Sequence, residues 1–273
     1  MASKETARPV FSLGKYRAVG KITVKHQLAY VADFLLRTLF LIIIIYIFMQ
    51  LWQATYRGEG STVIAGFTFP QILWYLIITE AMTLATPSLA NRIEEEVKSG
   101  DIGYKMTRPM NYIVYHYAAY LGEVYLRFGV NLLAGLVLGT LILGVPTFGY
   151  GWLGLMAVSL GAFTVHFLLN MGVALSAFWV EETQGLEFVY KKLLFTIGGM
   201  LMPLEVFPEA LRRVCEWLPF QTVLYFPAKM FVNYDAGTLG YMLGMQAAWI
   251  VVLGLLIAWL YRKGVSKVHV NGG

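Results

Sequence analysis

Ser159 and His166 come closest in this sequence to a nucleophile and its base. AVSLG (Ala157–Gly161) approaches the GxSxG pattern, and His166 follows in the same apolar run. On one helix the two side chains would stand about 10 Å apart along the axis, too far for the hydrogen bond that activates a hydroxyl. His166 is therefore read as a polar contact between helices. GKYRAVGKI (Gly14–Ile22) has the outline of the phosphate loop GxxxxGK[ST]. It carries one residue too many between its glycines, and Ile22 stands where a Mg²⁺-binding hydroxyl is needed. No HExxH and no paired metal-ligand spacing occurs. These residues predict no catalytic site, no metal and no cofactor bound by this chain, and no ATP hydrolysis by it alone.

Charge in unusual places is more informative. Glu80 is an acid about halfway along an apolar run. Ionisable residues inside a membrane are costly and mark a pathway or a partner. Two readings stay open: a pathway or gating carboxylate, or a hydrogen-bonded carboxyl holding two helices together. The strip IEEEVKSGDIGYKMTRPM (Ile93–Met110) sets Glu94, Glu95, Glu96, Lys98, Asp101, Lys105 and Arg108 between apolar stretches. Ser99, Gly100 and Asp101 interrupt its helical pattern, and Arg108-Pro109 ends it. A short charged helix with a fixed stop suits docking to another protein; the alternative is a solvated loop. Cys215 is the single cysteine and can form no internal disulfide, so a buried, inert thiol is expected.

The elements that must position these residues follow from composition. The chain has 273 residues, 58% hydrophobic and 14% charged, against about 45–50% and about 25% in soluble domains. An all-α integral membrane protein of one polytopic domain is expected. A crossing helix needs about 20 apolar residues. The spans are placed at 34–54, 69–90, 128–145, 152–180, about 187–205 and 239–261. An amphipathic helix at 15–33 is expected to lie on the inner leaflet before the first span. With six spans and both ends cytoplasmic, most Lys and Arg fall inside, among them Lys4 and Arg8, as the positive-inside rule requires. The net charge of +5 is thereby assigned to topology rather than to nucleic acid. Trp217–Ala228, with Pro219 and Pro227, becomes an outer loop that dips back into the membrane, which is allowed where protein satisfies its backbone. Gly135-x-x-x-Gly139 and Gly240-x-x-x-Gly244 permit close helix packing and so offer candidate dimer seams, and Asn131 and Asn170 are expected to bond between helices.

RIEEEVKSGDIGYKMTRPMNYIVYHYAAYLGE resembles the connection between the second and third spans in permeases of the ABC-type-2 exporters, with Ser99, Gly100, Asp101, Ile102, Arg108 and Pro109 fitting the pattern. Met106-Thr107 departs from it, standing where leucines are more usual. PLEVFPEALRRVCEWLPFQTVLYFPAKMFVN (Pro203–Asn233) is similar to that family's outer loop before the last span, through Pro203, Phe207, Pro208, Leu218, Pro219, Phe220 and Pro227. The resemblance implies an exporter permease of the cell membrane, built from two permease copies, identical or paralogous. Separate ATP-binding-cassette subunits would hold ATP and Mg²⁺. It makes the strip a coupling helix, with Glu94, Glu95, Glu96, Ser99, Gly100, Asp101, Arg108 and Pro109 at the ATPase. It makes the loop carrying Pro203, Phe207, Pro208, Pro219, Phe220 and Pro227 a re-entrant lid. Three rival classes remain at this stage: a proton-coupled secondary transporter using Glu80, an integral-membrane enzyme, and a membrane anchor for a complex.

Overall fold

The computed structural model describes residues 13–29, 31–180 and 182–271, and nearly all of them are helical. Lys4 and Arg8 lie outside the described residues. The helices are α1 (Leu13–Leu28), α2 (Val31–Glu59), α3 (Phe69–Ala85), α4 (Leu89–Lys98), α5 (Asp101–Met106), α6 (Tyr112–Leu143), α7 (Gly151–Leu175), α8 (Gln184–Ile197), α9 (Glu209–Trp217), α10 (Tyr225–Val232) and α11 (Ala236–Asn271). A two-residue antiparallel ribbon, β1 (Val63–Ile64) with β2 (Phe67–Thr68), leads into α3. Among the described residues five stretches are long and apolar enough to cross a membrane: Thr38–Glu59, Phe69–Lys98, Tyr112–Leu143, Gly151–Phe178 and Ala236–Lys267. The chain is thus an all-α, multi-pass membrane protein.

α3 is the central helix. Every residue from Ile72 to Met82 is buried, as expected of a helix apolar on all sides. Gln71 fixes its start: Oε1 accepts from Thr68 N at 2.9 Å, and Nε2 donates to the Val232 carbonyl at 3.2 Å. Its end is set by Pro87. The residue before a proline is driven from helical to extended backbone, and Thr86 has φ −75° and ψ 126°. The stretch expected as one span, 69–90, is therefore broken at 86–88 before α4 resumes.

α6 runs antiparallel to α3 along two glycines. A Cβ at Gly135 would lie 2.6 Å from Ile77 Cγ2, and one at Gly139 would lie 2.5 Å from Trp74 Cη2. The first glycine pair is thus spent inside the subunit. The second is not: nothing stands within 4 Å of a Cβ at Gly240 or Gly244. α6 also begins well before 128. Asn111 caps it, its Oδ1 accepting from Val114 N at 3.1 Å. Glu123 and Arg127 do not end the helix, because their charges are met by neighbouring side chains.

α1 ends at Leu28, short of the expected 33, and packs lengthwise on the first half of α6. Asn111 N donates to Tyr16 Oη at 3.1 Å, and Arg127 donates to Gln27 Oε1 at 3.2 Å. Between those points the helices nearly touch: a Cβ at Gly122 would lie 2.7 Å from the Gly20 carbonyl.

α8 has only 14 residues, about 21 Å of rise against the ~30 Å of a hydrocarbon core. Gly198-Gly199 stops it, with Gly199 at φ +77° and the Tyr75 hydroxyl donating to its carbonyl. The region expected as the span 187–205 is thus a short helix and a turn. The chain then passes through the exposed α9 and returns as α10, which is wedged between α3 and α7 and buried at all but Lys229. Gly151 lets the two backbones meet, since a Cβ there would lie 2.0 Å from the Phe231 carbonyl. Gln246 of α11 donates to the carbonyls of Val158 (3.0 Å) and Thr222 (3.1 Å), tying this segment to α7. Cys215 is buried and unpaired.

Candidate functional site: a charged strip with a buried edge

The strip folds as two short helices joined by a left-handed residue. Leu89, Ala90 and Ile93 give α4 an apolar edge that packs into the core. Gly100 then takes φ +78°, a conformation that costs a side chain about 1–2 kcal/mol, and a Cβ there would meet nothing within 4 Å. Its requirement is conformational, not steric. α5 follows at once, and Arg108-Pro109 turns the chain into α6.

This geometry sorts the expected coupling residues onto two edges. Glu95, Ser99, Gly100, Asp101, Arg108 and Pro109 are exposed. Arg108 lies over the exposed Tyr104 ring, 5.0 Å from its centroid. Glu94 and Glu96 point the other way and are buried. Glu94 Oε2 accepts from the backbone N (2.7 Å) and Oγ1 (2.5 Å) of Thr183, at the head of α8, and Lys98 Nζ lies 2.6 Å from its Oε1. Glu96 accepts from Tyr112 Oη at 2.8 Å and from Lys105 Nζ. His116 Nε2 is 3.3 Å from the same carboxylate. Buried charge is tolerated when paired and hydrogen-bonded, and both carboxylates meet that condition.

Arg92 extends the inner edge. Its Nη2 is 3.1 Å from Glu123 Oε2, and Arg127 Nη2 is 2.6 Å from Glu123 Oε1. Arg127 in turn reaches Gln27 of α1. Through three side chains α4 is joined to α5, α6, the head of α8 and, one residue further, α1. Neither Arg92 nor Glu123 was marked by the sequence. The one available signal was Glu123 at i,i+4 from Arg127, in a run otherwise rich in tyrosine.

The remaining candidates sit elsewhere. Glu80 is 1% exposed and neither of its oxygens has a hydrogen-bond partner among the described residues, so it bonds no second helix there. Asn131 likewise lacks partners for its amide, contrary to the interhelical bond expected of it. His166 does meet another helix, with Nδ1 2.9 Å from Tyr120 Oη of α6. Ser159 donates to its own helix at Met156 O, so the two do not form a pair. Of the outer-loop residues, Pro203, Pro219 and Pro227 are buried, Phe207 and Phe220 half-buried and Pro208 exposed. Among the described residues no group of three or more His, Cys, Asp or Glu side chains is placed to hold a metal.

A family model described as ABC-2 family transporter protein matches residues 39–272, most of the chain. No curated protein matches it.

Proposed function

The chain belongs to the ABC-2 transporter family and is a transmembrane component of an ABC transporter; from that premise we propose that it is the permease of an exporter driven through the strip. In this reading two permease copies, identical or paralogous, enclose the pathway in the cell membrane. A separate ATP-binding-cassette subunit binds ATP and Mg²⁺ beneath each copy. Both termini are cytoplasmic, α8 with its following turn makes the sixth crossing, and the segment from Pro203 to Asn233 is the outer re-entrant lid. The burial of α10 between α3 and α7 supports the lid, because a non-spanning segment at membrane depth needs protein around it.

The observation that carries the proposal is the division of the strip into two edges. The exposed edge, Glu95, Ser99, Gly100, Asp101, Arg108 and Pro109, offers charge and a fixed turn to the ATPase. The inner edge, Arg92, Glu94 and Glu96, grips α6 and the head of α8 by charge-assisted bonds. A push on the outer edge thus moves those helices with it, a rigid-body step of the kind that reorients transporter halves. Glu80, buried without a hydrogen-bond partner among the described residues, is the gating or pathway carboxylate.

Coexpression with an ABC ATPase subunit tests this. The wild-type chain is expected to retain the ATPase through purification, and Glu95→Lys with Asp101→Lys is expected to release it. Retention of the ATPase by the double variant would refute docking through this edge. In the same complex Glu80→Gln is expected to lower transport with assembly intact. Unchanged transport by Glu80→Gln would remove Glu80 from the pathway.

A further inference from the structure

A cavity of about 410 Å³ opens beside the break between α3 and α4, walled by Thr83 and Leu84, residues 86–88, Arg127 of α6, His166 and Asn170 of α7, and α8. It lies within the size range of small-molecule sites, about 300–1,000 Å³. Its mouth is marked by Lys191, whose side chain is 62% exposed, and by the exposed Lys192. Its inner side is marked by His166, Asn170 and Tyr190, all buried.

The wall carries Arg127, Lys191 and Lys192 and no carboxylate. Two carboxylates among the described residues, Glu123 and Glu187, stand behind it. Glu123 is shared between two guanidinium groups, those of Arg92 and Arg127. Glu187 faces Lys191 at 2.9 Å. Lys192 has no carboxylate partner among the described residues; its Nζ lies over the rings of Phe188 (5.3 Å) and Phe195 (5.6 Å). At the inner side, Asn170 Oδ1 and Tyr190 Oη have no hydrogen-bond partner among the described residues. Buried polar groups are rarely left so, and beside a cavity the partner is water or a bound molecule. Leu84, Leu194, Phe195 and Met200 supply apolar wall.

We propose that this cavity is the substrate-entry site and takes an anionic amphipath: a small molecule with one carboxylate, sulfonate or phosphate group on an aromatic or alkyl body. The inference rests on the exporter reading for its role in transport, though not for its chemistry. The anion pairs with Lys192 and Arg127, the body lies on the apolar wall, and a polar substituent meets Asn170 and Tyr190. The cavity also borders the strip's mechanism: Ser88, just before α4, donates to Glu187 Oε1 at 2.9 Å. A displacement of α4 therefore alters the wall beside the mouth.

The test uses the full chain in phosphatidylcholine nanodiscs without ATPase, with empty discs subtracted. The probes are 6-hydroxynaphthalene-2-sulfonate, 6-(hydroxymethyl)-2-naphthol and (6-hydroxy-2-naphthyl)methylammonium, which share one phenolic hydroxyl, measured by equilibrium dialysis. Saturable binding of the sulfonate is expected, with the alcohol and the ammonium at least about tenfold weaker. Lys192→Gln, a change at an exposed position, and Asn170→Leu are each expected to weaken the sulfonate about tenfold, without lowering the unfolding temperature of the probe-free chain in the case of Lys192→Gln. Equal binding of sulfonate and ammonium, or an unchanged affinity in Lys192→Gln, overturns the proposal. If Asn170→Leu fails to fold, Lys192→Gln decides alone. Selective binding by a chain that never retains an ATPase would sink the exporter reading and leave this site standing. Retention of the ATPase with no selective binding would do the reverse.

Discussion

Glu94, Glu95 and Glu96 are three identical side chains in a row, and their surroundings give them different work. Glu95 is exposed, so its removal forfeits at most an exposed ion pair, about 0–1 kcal/mol. Glu96 neutralises Lys105 and accepts from Tyr112 in a buried setting. Its removal leaves the buried Tyr112 hydroxyl without its acceptor and the half-buried Lys105 without its counter-charge, which costs about 1–3 kcal/mol. Glu95→Ala is therefore expected to unfold at the wild-type temperature in detergent and Glu96→Ala several degrees lower. Equal unfolding temperatures would show that the inner edge bears no load. The sequence marked all three glutamates alike because a charge run carries no record of which face is covered. A helix repeat of 3.6 residues does place Glu94 and Glu96 on different sides from Glu95 once Ile93 is known to face the core, but that knowledge comes from packing. Glu80 was legible as an acid out of place. That both of its oxygens lack a partner among the described residues was not legible, since it depends on what the helices packed around α3 bring near it.

At the scale of elements, small residues were visible in the sequence and their partners were not. Gly135-x-x-x-Gly139 and Gly240-x-x-x-Gly244 have the same spacing, yet the first is filled by Ile77 and Trp74 of α3 and the second is open. Gly139→Ala would set a methyl 2.5 Å from the Trp74 ring, an overpacking that costs about 1–3 kcal/mol. Gly244→Ala is expected to change the stability of the isolated chain by less than about 0.5 kcal/mol. Thermal unfolding of the two variants in one detergent checks this, and an equal effect at both sites would contradict the packing of α6 on α3. Helix ends were read best where backbone chemistry sets them. The stop at Arg108-Pro109, the turn at Gly100 and the apolar start at Phe69 all fall where the residue types place them. The early start of α6 at Tyr112 escaped, because Glu123 and Arg127 read as the edge of an apolar span until their mutual pairing is seen. The short α8 was foreshadowed by its few uncharged residues. Its closure by a second, non-spanning helix depends on the contact of α10 with α7, which no local pattern encodes.

For the molecule as a whole, hydropathy separated a membrane protein from a soluble one at once, and among the described residues five apolar stretches stand as crossing candidates. The count that sets the two ends on one side rests on the sixth, short passage through α8. In a Cys215→Ala background, cysteines at Lys98 and Ser266 are expected to react with a membrane-impermeant thiol reagent only after the membrane is opened. Those at Gly60 and Arg212 are expected to react in intact cells. Labelling of Ser266→Cys from outside would remove the sixth crossing and place the C-terminal end of α11 opposite the strip. The account's central claim is that the exposed edge of the strip rests on an ATPase and transmits its motion. The most direct measurement is a short thiol crosslink from Asp101→Cys, in the Cys215→Ala chain, to the coexpressed ATPase subunit in the membrane. The account predicts a crosslinked permease–ATPase product whose yield changes on adding ATP and Mg²⁺, with no such product from Gly60→Cys. An ATPase that copurifies with the chain yet never crosslinks to Asp101→Cys, or crosslinks equally from Gly60→Cys, would contradict it.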